Sequence, residues 1–313
     1  MLTNFDDTAN ILFRGSPHLH TISKDAITEV TLDMSTSQVT ELSFTIDDPA
    51  WVILGKGWFD IETPVTYRGL KLTVAVIETT PGGGLGGLTV KCRPSATSKL
   101  KKQRGDRVVK GVSAASFVAS ECAAVGVTAV VQSSPTKPRI ARDTPQKGQD
   151  YDESNHPSSW TTFQRLANEL GYLMYEVGGV IYFGKPTWLI NQKPKVAVQW
   201  YPDTDAAPMS FPQFRQSIDS EDIEVTVELG LDRAGTIFPG YGITFNGVPK
   251  YAGTYFVTGV NYPLAGTGTM SVSASTVRNP KPQKSGEEDG TTEKVVLVKK
   301  PVGETHRKVV VDE

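Results

Sequence analysis

Hydrophobic and polar residues alternate with a period of two residues in both end regions of this chain. That period is typical of β-strands that bury one face, and Gly- and Pro-containing turns separate the segments. The segments in the first hundred residues are Ile27–Asp33, Val39–Ile46, Phe59–Tyr67, Leu70–Thr79 and Leu88–Cys92. Those in the last third are Ile223–Leu229, Tyr241–Phe245, Gly253–Val260 and Met270–Val277. The pattern therefore predicts a strand-rich region at each end of the chain.

The middle of the chain has a different pattern, which begins with a predicted helix. Ser113 is the predicted cap of a helix that runs to about Val125 and stops at Gly126. A short strand over Val127–Gln132 follows. The Pro-, Lys- and Asp-rich residues 133–157 are predicted to form a long exposed loop.

A second helix is predicted over residues 159–170, where apolar side chains recur at helical spacing. Ser158 or Ser159 is its cap and Gly171 its end. The next two segments flank Gly178-Gly179, a pair of residues that is typical of a tight β-hairpin loop. They are Leu173–Val177 and Val180–Phe183. The middle of the chain is therefore predicted to be a small α/β region.

The two strand-rich ends echo each other in the order of their segments. Both run strand, Gly-ended turn, strand, Pro- and Gly-containing loop, strand, which indicates two similar β-barrels flanking the α/β region. The echoing segments are Trp58–Glu62 with Tyr241–Phe245, Val65–Gly69 with Val248–Gly253, Leu72–Glu78 with Tyr255–Asn261, and Leu88–Cys92 with Met270–Ala274. The predicted fold class is mainly β with a small α/β middle region. The predicted domains are a β-barrel over 1–98, the α/β domain over 99–210, a second β-barrel over 211–280 and a charged extension over 281–313.

Composition and charge narrow the classes of function. The chain has 313 residues and a formal net charge of −2, so no global basic field favours nucleic acid, and no specific nucleic-acid recognition is expected. Cys92 and Cys122 lie far apart in no metal-ligand spacing, which predicts free buried thiols. Asp6 and Asp7 stand where a secretory signal carries basic residues, and no apolar run is long enough to span a membrane. We expect synthesis in the cytoplasm and no stable membrane anchor.

Several motifs resemble ligand sites, but each has a structural explanation that fits better. The GGGLGG string at residues 82–87 matches a dinucleotide fingerprint, but a strand rather than a helix is predicted to follow it. His18 and His20 share a strand face near Asp6 and Asp7 without a further placed ligand. Three other groups fall in polar segments or lack a required ligand position: Asp150, Asp152, Glu153 and His156; Asp203 and Asp205; Asp219, Glu221, Asp222 and Glu224. No catalytic, cofactor-binding or metal site is predicted, and no cofactor is expected.

One basic run remains as a candidate contact surface. It consists of Lys99, Lys101, Lys102, Arg104, Arg107 and Lys110. A run of this kind contacts nucleic acid or an acidic partner when aromatic residues interleave with it, and none do here. A solvated loop is the favoured interpretation.

Three segments resemble baseplate hub proteins of contractile phage tails, which are related to the hubs of type VI secretion spikes and contractile injection systems. The first is the Ser158–Tyr172 helix with its hairpin and the Gly-Lys-Pro turn ending at Pro186. The others are the Ser113–Val125 helix with its trailing strand, and Phe238–Phe245 with Gly253–Val260. Together they cover roughly residues 110–280.

The resemblance implies a structural hub at the distal end of a phage tail, not an enzyme. In such a hub a homotrimer presents six similar barrels to a hexameric tail tube and keeps threefold symmetry toward a spike or tip. The implied partners are the tail tube protein, a spike or tail-tip protein, baseplate proteins and the tape measure protein. Short apolar runs at Val295–Val298 and Val309–Val311 are predicted to add to a partner.

Two other functions stay open at this point. A tail-associated cell-wall hydrolase would use the acids between Asp219 and Glu224 as paired carboxylates. A receptor- or carbohydrate-binding module at the tail tip would use exposed aromatic residues. Its candidates are Trp51, Trp58, Trp188 and Trp200, for which a buried position is the favoured interpretation.

Overall fold

The computed structural model divides the chain into two compact units, Met1–Pro282 and Gln283–Glu313. All elements given below belong to the first unit, and only residue 283 of the second is described. The described residues are 12–15, 18–21, 27–48, 51–67, 70–80, 86–105, 107–142, 158–199, 210–218, 222–230, 236–248, 250–263 and 269–283.

The N-terminal region is rich in strands, as its alternation predicts. The strand predicted over Phe59–Tyr67 forms only from Pro64 on, and the short helix before it was not predicted. The strands are β1 (Leu12–Gly15), β2 (His18–Thr21), β3 (Ile27–Ser35), β4 (Glu41–Asp47), β5 (Pro64–Tyr67), β6 (Leu70–Thr80) and β7 (Gly87–Pro94), and the helix between β4 and β5 is α1 (Val52–Gly55). The C-terminal region contains β13 (Lys195–Gln199), β14 (Gln213–Gln216), β15 (Ile223–Gly230), β16 (Gly242–Asn246), β17 (Gly253–Pro263) and β18 (Thr269–Ser275).

The middle region alternates helices and short strands. Its elements are α2 (Ser95–Lys102), β8 (Val108–Ser113), α3 (Ala114–Ala124), β9 (Thr128–Val131), β10 (Thr136–Ala141), α4 (Ser159–Leu170), β11 (Leu173–Val177), β12 (Val180–Gly184) and α5 (Pro186–Leu189). Strands β8 and β10 pair with each other, and β12 pairs with β11 and, in parallel, with β9. The prediction of a mainly β chain with a small α/β middle region is confirmed.

Strands from both ends of the chain belong to one sheet. Its order is β14-β15-β18-β17-β3-β4-β7-β6-β5-β1-β2, with β16 paired to β17 and β13 paired to β16. Among the described residues this path has two ends and does not close into a barrel. The strand pairing therefore leaves the two-barrel arrangement unconfirmed.

Two stretches of this sheet repeat the same strand order. We call β3 to β7 the first β unit, with order β3-β4-β7-β6-β5, and β14 to β18 the second β unit, with order β14-β15-β18-β17-β16. The repeat confirms the predicted echoes of Leu72–Glu78 with Tyr255–Asn261 and of Leu88–Cys92 with Met270–Ala274. The echo of Trp58–Glu62 with Tyr241–Phe245 was wrong, because β5 is the strand that occupies the position of β16.

Alternation places one face of both units in a shared hydrophobic core. In β4 and β15, every second residue is buried, and the core side chains of the two units belong to one cluster. The opposite face carries small hydroxyl side chains, none of which is buried: Ser43, Thr45, Thr89, Thr226, Ser271 and Ser273. This sheet therefore has one apolar face and one polar face.

Local signals in the middle region were predicted well where caps define the elements. The side chain of Ser113 caps α3, that of Ser158 caps α4, and Gly171 ends α4 in the left-handed conformation. Two expectations were wrong. Part of the basic run is helix α2, whose Leu100 is fully buried, and residues 136–141 of the predicted loop form β10.

Candidate assembly interface

The two β units are joined edge to edge by backbone hydrogen bonds. Strand β17 is long enough to serve two partners on one side: its first half pairs with β16, and its second half pairs antiparallel with β3. In this joint Gly259 lies opposite Ser35, Asn261 opposite Asp33 and Pro263 opposite Thr31. Strand addition of this kind holds two sheets together through their main chains.

Side chains on both faces reinforce the joint. On the polar face, the Asn261 amide donates a hydrogen bond to the Asp33 carboxylate. Beyond the end of β3, the backbone N–H of Thr36 donates to the Thr258 carbonyl at 2.8 Å, and the Thr36 side chain is 8% exposed. The joint is therefore hydrogen-bonded at this end, and the Thr36 side chain is buried in it.

Each β unit also has an edge for which the described residues supply no strand partner. The first half of β6 pairs with β5, but residues 76–80 have a strand partner on the β7 side alone within the described ranges. Strand β14 pairs with β15 on one side, and its outer side has no strand among the described residues. We call residues 76–80 the β6 edge and Gln213–Gln216 the β14 edge. Exposed strand edges are templates for adding another chain.

The two edges carry opposite charges near their centres. On the β6 edge Glu78 pairs with Lys91 at 2.8 Å, and this hydrogen bond raises the pKa of the lysine. On the β14 edge Arg215 lies 3.7 Å from Glu224 on the adjacent strand, and both side chains are mostly exposed. Both charged groups are open to a partner.

A cavity of about 410 Å³ lies beside the β6 edge. Ala75 of β6, Ile61 and Lys101 of α2 help to line it. The side chain of Ile61 is 56% exposed, and burial lowers the pKa of Lys101. The cavity therefore presents an exposed apolar side chain next to the β6 edge.

The predicted basic run does not form a continuous free surface. Lys102 pairs with Glu62, Arg107 pairs with the buried Glu121, and Lys99 donates to the Val125 carbonyl at 3.3 Å. These contacts engage three of the six basic side chains within the chain. The interpretation of the basic run as a solvated loop was wrong for the residues that belong to α2.

The acids considered for hydrolysis are engaged with arginines. Asp222 lies 3.1 Å from the Arg278 guanidinium and accepts a hydrogen bond from Thr276, while Glu224 faces Arg215. The structure therefore brings these two acids into ion pairs rather than into a carboxylate pair. Asp219 and Glu221 lie outside the described residues.

The remaining candidate ligands are mostly outside the described part of the chain. His18 and His20 fall in β2, and nothing is described of their side chains. The other candidate ligands lie outside the described residues: Asp6, Asp7, Asp150, Asp152, Glu153, His156, Asp203 and Asp205. Within the described ranges, no three His, Cys, Asp or Glu residues are close enough to hold a metal ion. Strand β7 begins at Gly87, so a strand follows the GGGLGG string, as predicted.

Exposure separates the candidate tryptophans. Trp51 is 40% exposed beside the exposed Val52 and Leu54, so a buried position was wrong for this residue. Trp58 and Trp188 are half-buried, and Trp200 lies outside the described residues. In the part of the chain that the structure describes, no helix has the length and apolar character to cross a membrane.

Both cysteines are free and buried, as predicted. Burial raises the pKa of each thiol to about 12, which keeps both protonated near neutral pH. The charged and apolar residues of the two edges, Glu78, Arg215 and Ile218, were not identified from the sequence. No local motif marks them, because their role depends on strand order.

No protein-family model and no curated protein matches this sequence. Solved structures do. A 43 kDa tail protein of prophage MuSo2 from Shewanella oneidensis has a TM-score of 0.60 at 9% identity, covering 85% of this chain and 97% of that one. A tail protein from Neisseria meningitidis has a TM-score of 0.57 at 11% identity, covering 85% and 96%.

A third structure comes from a secretion machine. It is an Escherichia coli component of the type VI secretion system, described as structurally similar to the T4 bacteriophage tail proteins gp27 and gp5. Its TM-score is 0.54 at 12% identity, covering 82% of this chain and 76% of that one. This chain has the fold of phage tail proteins and of a related type VI secretion component, and the resemblance predicted from residues 110–280 is confirmed at the level of fold.

Proposed function

We propose that this chain is a structural hub of a phage tail, located at the distal baseplate or tip. The observation that carries the proposal is the repeated β unit: five strands occur twice in the same order within one chain. A trimer of such chains presents six similar units to a hexameric tail tube while keeping threefold symmetry for a spike or tip protein. The function is then to adapt one symmetry to the other.

The two faces of the sheet fit this arrangement. The apolar face of both units is covered by a shared core, whereas the polar face carries serine and threonine side chains. In the proposed trimer each chain contributes two barrels, one from each β unit. The polar faces of the six units line a water-filled channel. The genome passes through this channel without sequence-specific contacts.

The domain boundaries follow from the same proposal. Residues 1–98 and 211–280 form the tube-like ends, residues 99–210 form the α/β region, and residues 281–313 extend toward a partner. Baseplate proteins and the tape measure protein are further partners. Deletion of residues 281–313 is expected to impair tail assembly, and unchanged assembly would remove the extension from the proposal.

We propose no catalytic activity for this chain. Asp222 pairs with Arg278 and Glu224 with Arg215, so each acid faces an arginine and the two do not form a pair of free carboxylates. A tip-binding role has one observation in its favour, the exposed apolar cluster of Trp51, Val52 and Leu54. Binding of the purified chain to host cells that is lost in Trp51→Ala would support it.

The location of the chain in particles tests the hub. We would label intact phage particles with an antibody against this chain and examine them by electron microscopy. A single focus at the distal end of the tail tube is expected. Label along fibres, on the capsid or absent from the particles would contradict the hub.

A further inference from the structure

The two β units correspond residue by residue, not only in strand order. Val74 in the first unit exchanges backbone hydrogen bonds with Thr63 and Glu62, and Val257 in the second exchanges the same pair with Tyr241 and Gly240. A bulge follows each valine. The strand registers then equate Ala75 with Thr258, Ile77 with Val260, Glu78 with Asn261, Thr31 with Gln213, Leu32 with Phe214, Asp33 with Arg215, Met34 with Gln216 and Thr36 with Ile218.

The intrachain joint between β17 and β3 therefore has an equivalent pair of strand edges elsewhere in the chain. The joint uses the second half of β17 and the outer edge of β3. Their equivalents in the other unit are the second half of β6 and the outer edge of β14, which are the two edges without a strand partner among the described residues. One chain therefore contains one completed joint and the two separate halves of another.

We propose that copies of this chain join through these halves, with the β6 edge of one copy pairing antiparallel with the β14 edge of the next. The register copied from the intrachain joint places Ile77 opposite Gln216, Glu78 opposite Arg215, Thr79 opposite Phe214 and Thr80 opposite Gln213. This inference rests on the proposed hub, since it names the contact that builds its trimer. The contact is head to tail, and three copies supply the six units.

Charge supports this register. In the intrachain joint the central pair is Asn261 with Asp33, whereas the equivalent pair between copies is Glu78 with Arg215. Residues directly opposite in antiparallel strands have side chains on the same face, so this pair forms a cross-strand ion pair. The existing pairs of Glu78 with Lys91 and Arg215 with Glu224 then become one row of alternating charge.

The exposure of two apolar side chains, Ile218 and Ile61, supports the proposed contact independently. Thr36 is buried beside Thr258 in the intrachain joint, where both residues line a cavity of about 460 Å³. Its equivalent Ile218 is fully exposed, at 101%. The equivalent of Thr258 is Ala75, which lines the 410 Å³ cavity with the exposed Ile61. In the proposed contact Ile218 of one copy enters this cavity of the next and covers Ile61.

Disulfide cross-linking of the full-length chain tests the register. Directly opposite residues of antiparallel strands have Cα atoms about 4.5 to 5.5 Å apart, within reach of a disulfide. The Glu78→Cys, Arg215→Cys double variant is expected to give covalent dimers and trimers under mild oxidation with diamide. The control pairs Glu78→Cys with Gln213→Cys, which lies about 7 Å farther along the strand and is expected not to cross-link. Cys92 and Cys122 are buried in both.

Charge reversal gives a second measurement on the same contact. Glu78→Arg or Arg215→Glu alone places like charges opposite each other and is expected to weaken association roughly five-fold per contact. The double reversal restores the opposite pair between copies. Recovery of association in the double variant, measured by sedimentation, supports the contact, and equal loss in all three variants contradicts it.

The outcomes separate this inference from the proposed hub. Register-specific cross-linking in a trimer supports both. A trimer by mass that cross-links only in the control pair, or in neither, overturns the edge contact and leaves the trimer intact. A chain that stays monomeric at every concentration and never cross-links overturns the edge contact and the self-assembled trimer together.

Discussion

Glu121 is a fully buried carboxylate in helix α3. Its Oε2 accepts hydrogen bonds from Arg142 Nη1 at 2.6 Å and from the Ser159 hydroxyl at 2.7 Å, and Arg107 pairs with its other oxygen. The group joins α3 to the start of α4 and to the chain after β10. A buried charge of this kind specifies one arrangement of its partners, because each partner loses water when the region folds.

Glu121→Ala is expected to destabilise the chain by about 3 to 5 kcal/mol, since it leaves the guanidinium of Arg142, whose side chain is 10% exposed, without its counterion. Urea unfolding followed by circular dichroism measures the loss. The matched control is Glu228→Ala on the exposed face of β15, where a change within about 0.5 kcal/mol is expected. Equal losses in the two variants would contradict the role of the buried network.

Glu176 gives the chain a pH dependence. Burial raises the pKa of this carboxyl from its ordinary value of 4.5 to about 7, although the Gly179 N–H partly offsets the shift. Because the folded chain holds the proton more tightly, this contribution to stability is present below pH about 4.5 and is lost as the pH rises to about 7. The loss is about 3 kcal/mol at most, at about 1.4 kcal/mol per pH unit.

Thermal unfolding between pH 5 and pH 8 tests this dependence. The melting temperature of the unmodified chain is expected to fall across that range, and that of Glu176→Gln is expected to fall less, because the amide has no proton to lose. A slope that is the same in both proteins would assign the dependence to other groups.

At the scale of elements, Gly171 connects a helix end to the C-terminal segment. It ends α4 with φ of +63°, and a Cβ at this position would lie 2.3 Å from the Pro280 carbonyl oxygen. Gly126 has nearly the same conformation, with φ of +66°, but open space around it. Alanine at Gly126 would therefore introduce backbone strain alone, whereas alanine at Gly171 would introduce the same strain and a steric clash.

Gly126→Ala is expected to cost about 1 kcal/mol, the strain of a left-handed alanine. Gly171→Ala is expected to cost at least about 1 kcal/mol more, because residues 280–282 must also shift. Thermal unfolding of the two variants side by side measures the difference. Equal costs would indicate that the segment at Pro280 does not pack firmly on the end of α4.

The elements that sequence predicts best are those with local end signals. Helices α3 and α4 follow capping serines, and Gly171 stops the second, so their bounds were predicted within a residue or two. Helix α2 was missed because only three of its eight residues are buried, Ala96, Thr97 and Leu100, and the other five are lysines and serines. Strand β10 was missed because Pro138 and exposed charges dominate its composition.

The candidate interface was not predictable in the same way. Glu78 and Arg215 are far apart in the sequence, and each belongs to an ordinary alternating segment. Their relation depends on the registers of eight strands, which local hydrophobicity does not encode. The echo between the two ends was visible in the sequence, but its alignment was wrong at β5 because turns of similar composition resemble each other.

At the scale of the whole molecule, strand order leaves two complementary edges in one chain. Natural proteins protect exposed edges with charges or cover them, because such edges pair readily with other chains. Here the charges are of opposite sign, and the exposed Ile218 lies just beyond the β14 edge. Burial of an isoleucine side chain in a contact is worth about 1.5 to 3 kcal/mol.

Ile218→Asp is therefore expected to weaken association of the chain by at least about ten-fold, since the carboxylate loses water in an apolar cavity without a partner there. The folding of the single chain is expected to change little, because the side chain at this position is fully exposed in it. Sedimentation velocity over a range of concentrations measures association, and thermal unfolding measures folding.

The matched control is Val108→Asp. Val108 is also apolar and exposed, at 49%, but it lies on β8, which pairs with β10 in a separate two-stranded sheet. A general effect of adding a negative charge would weaken association in both variants, whereas a contact at the β14 edge weakens it only in Ile218→Asp. Unchanged association in Ile218→Asp would mean that this end of the edge stays in solvent, and the register copied from Thr36 would then be wrong.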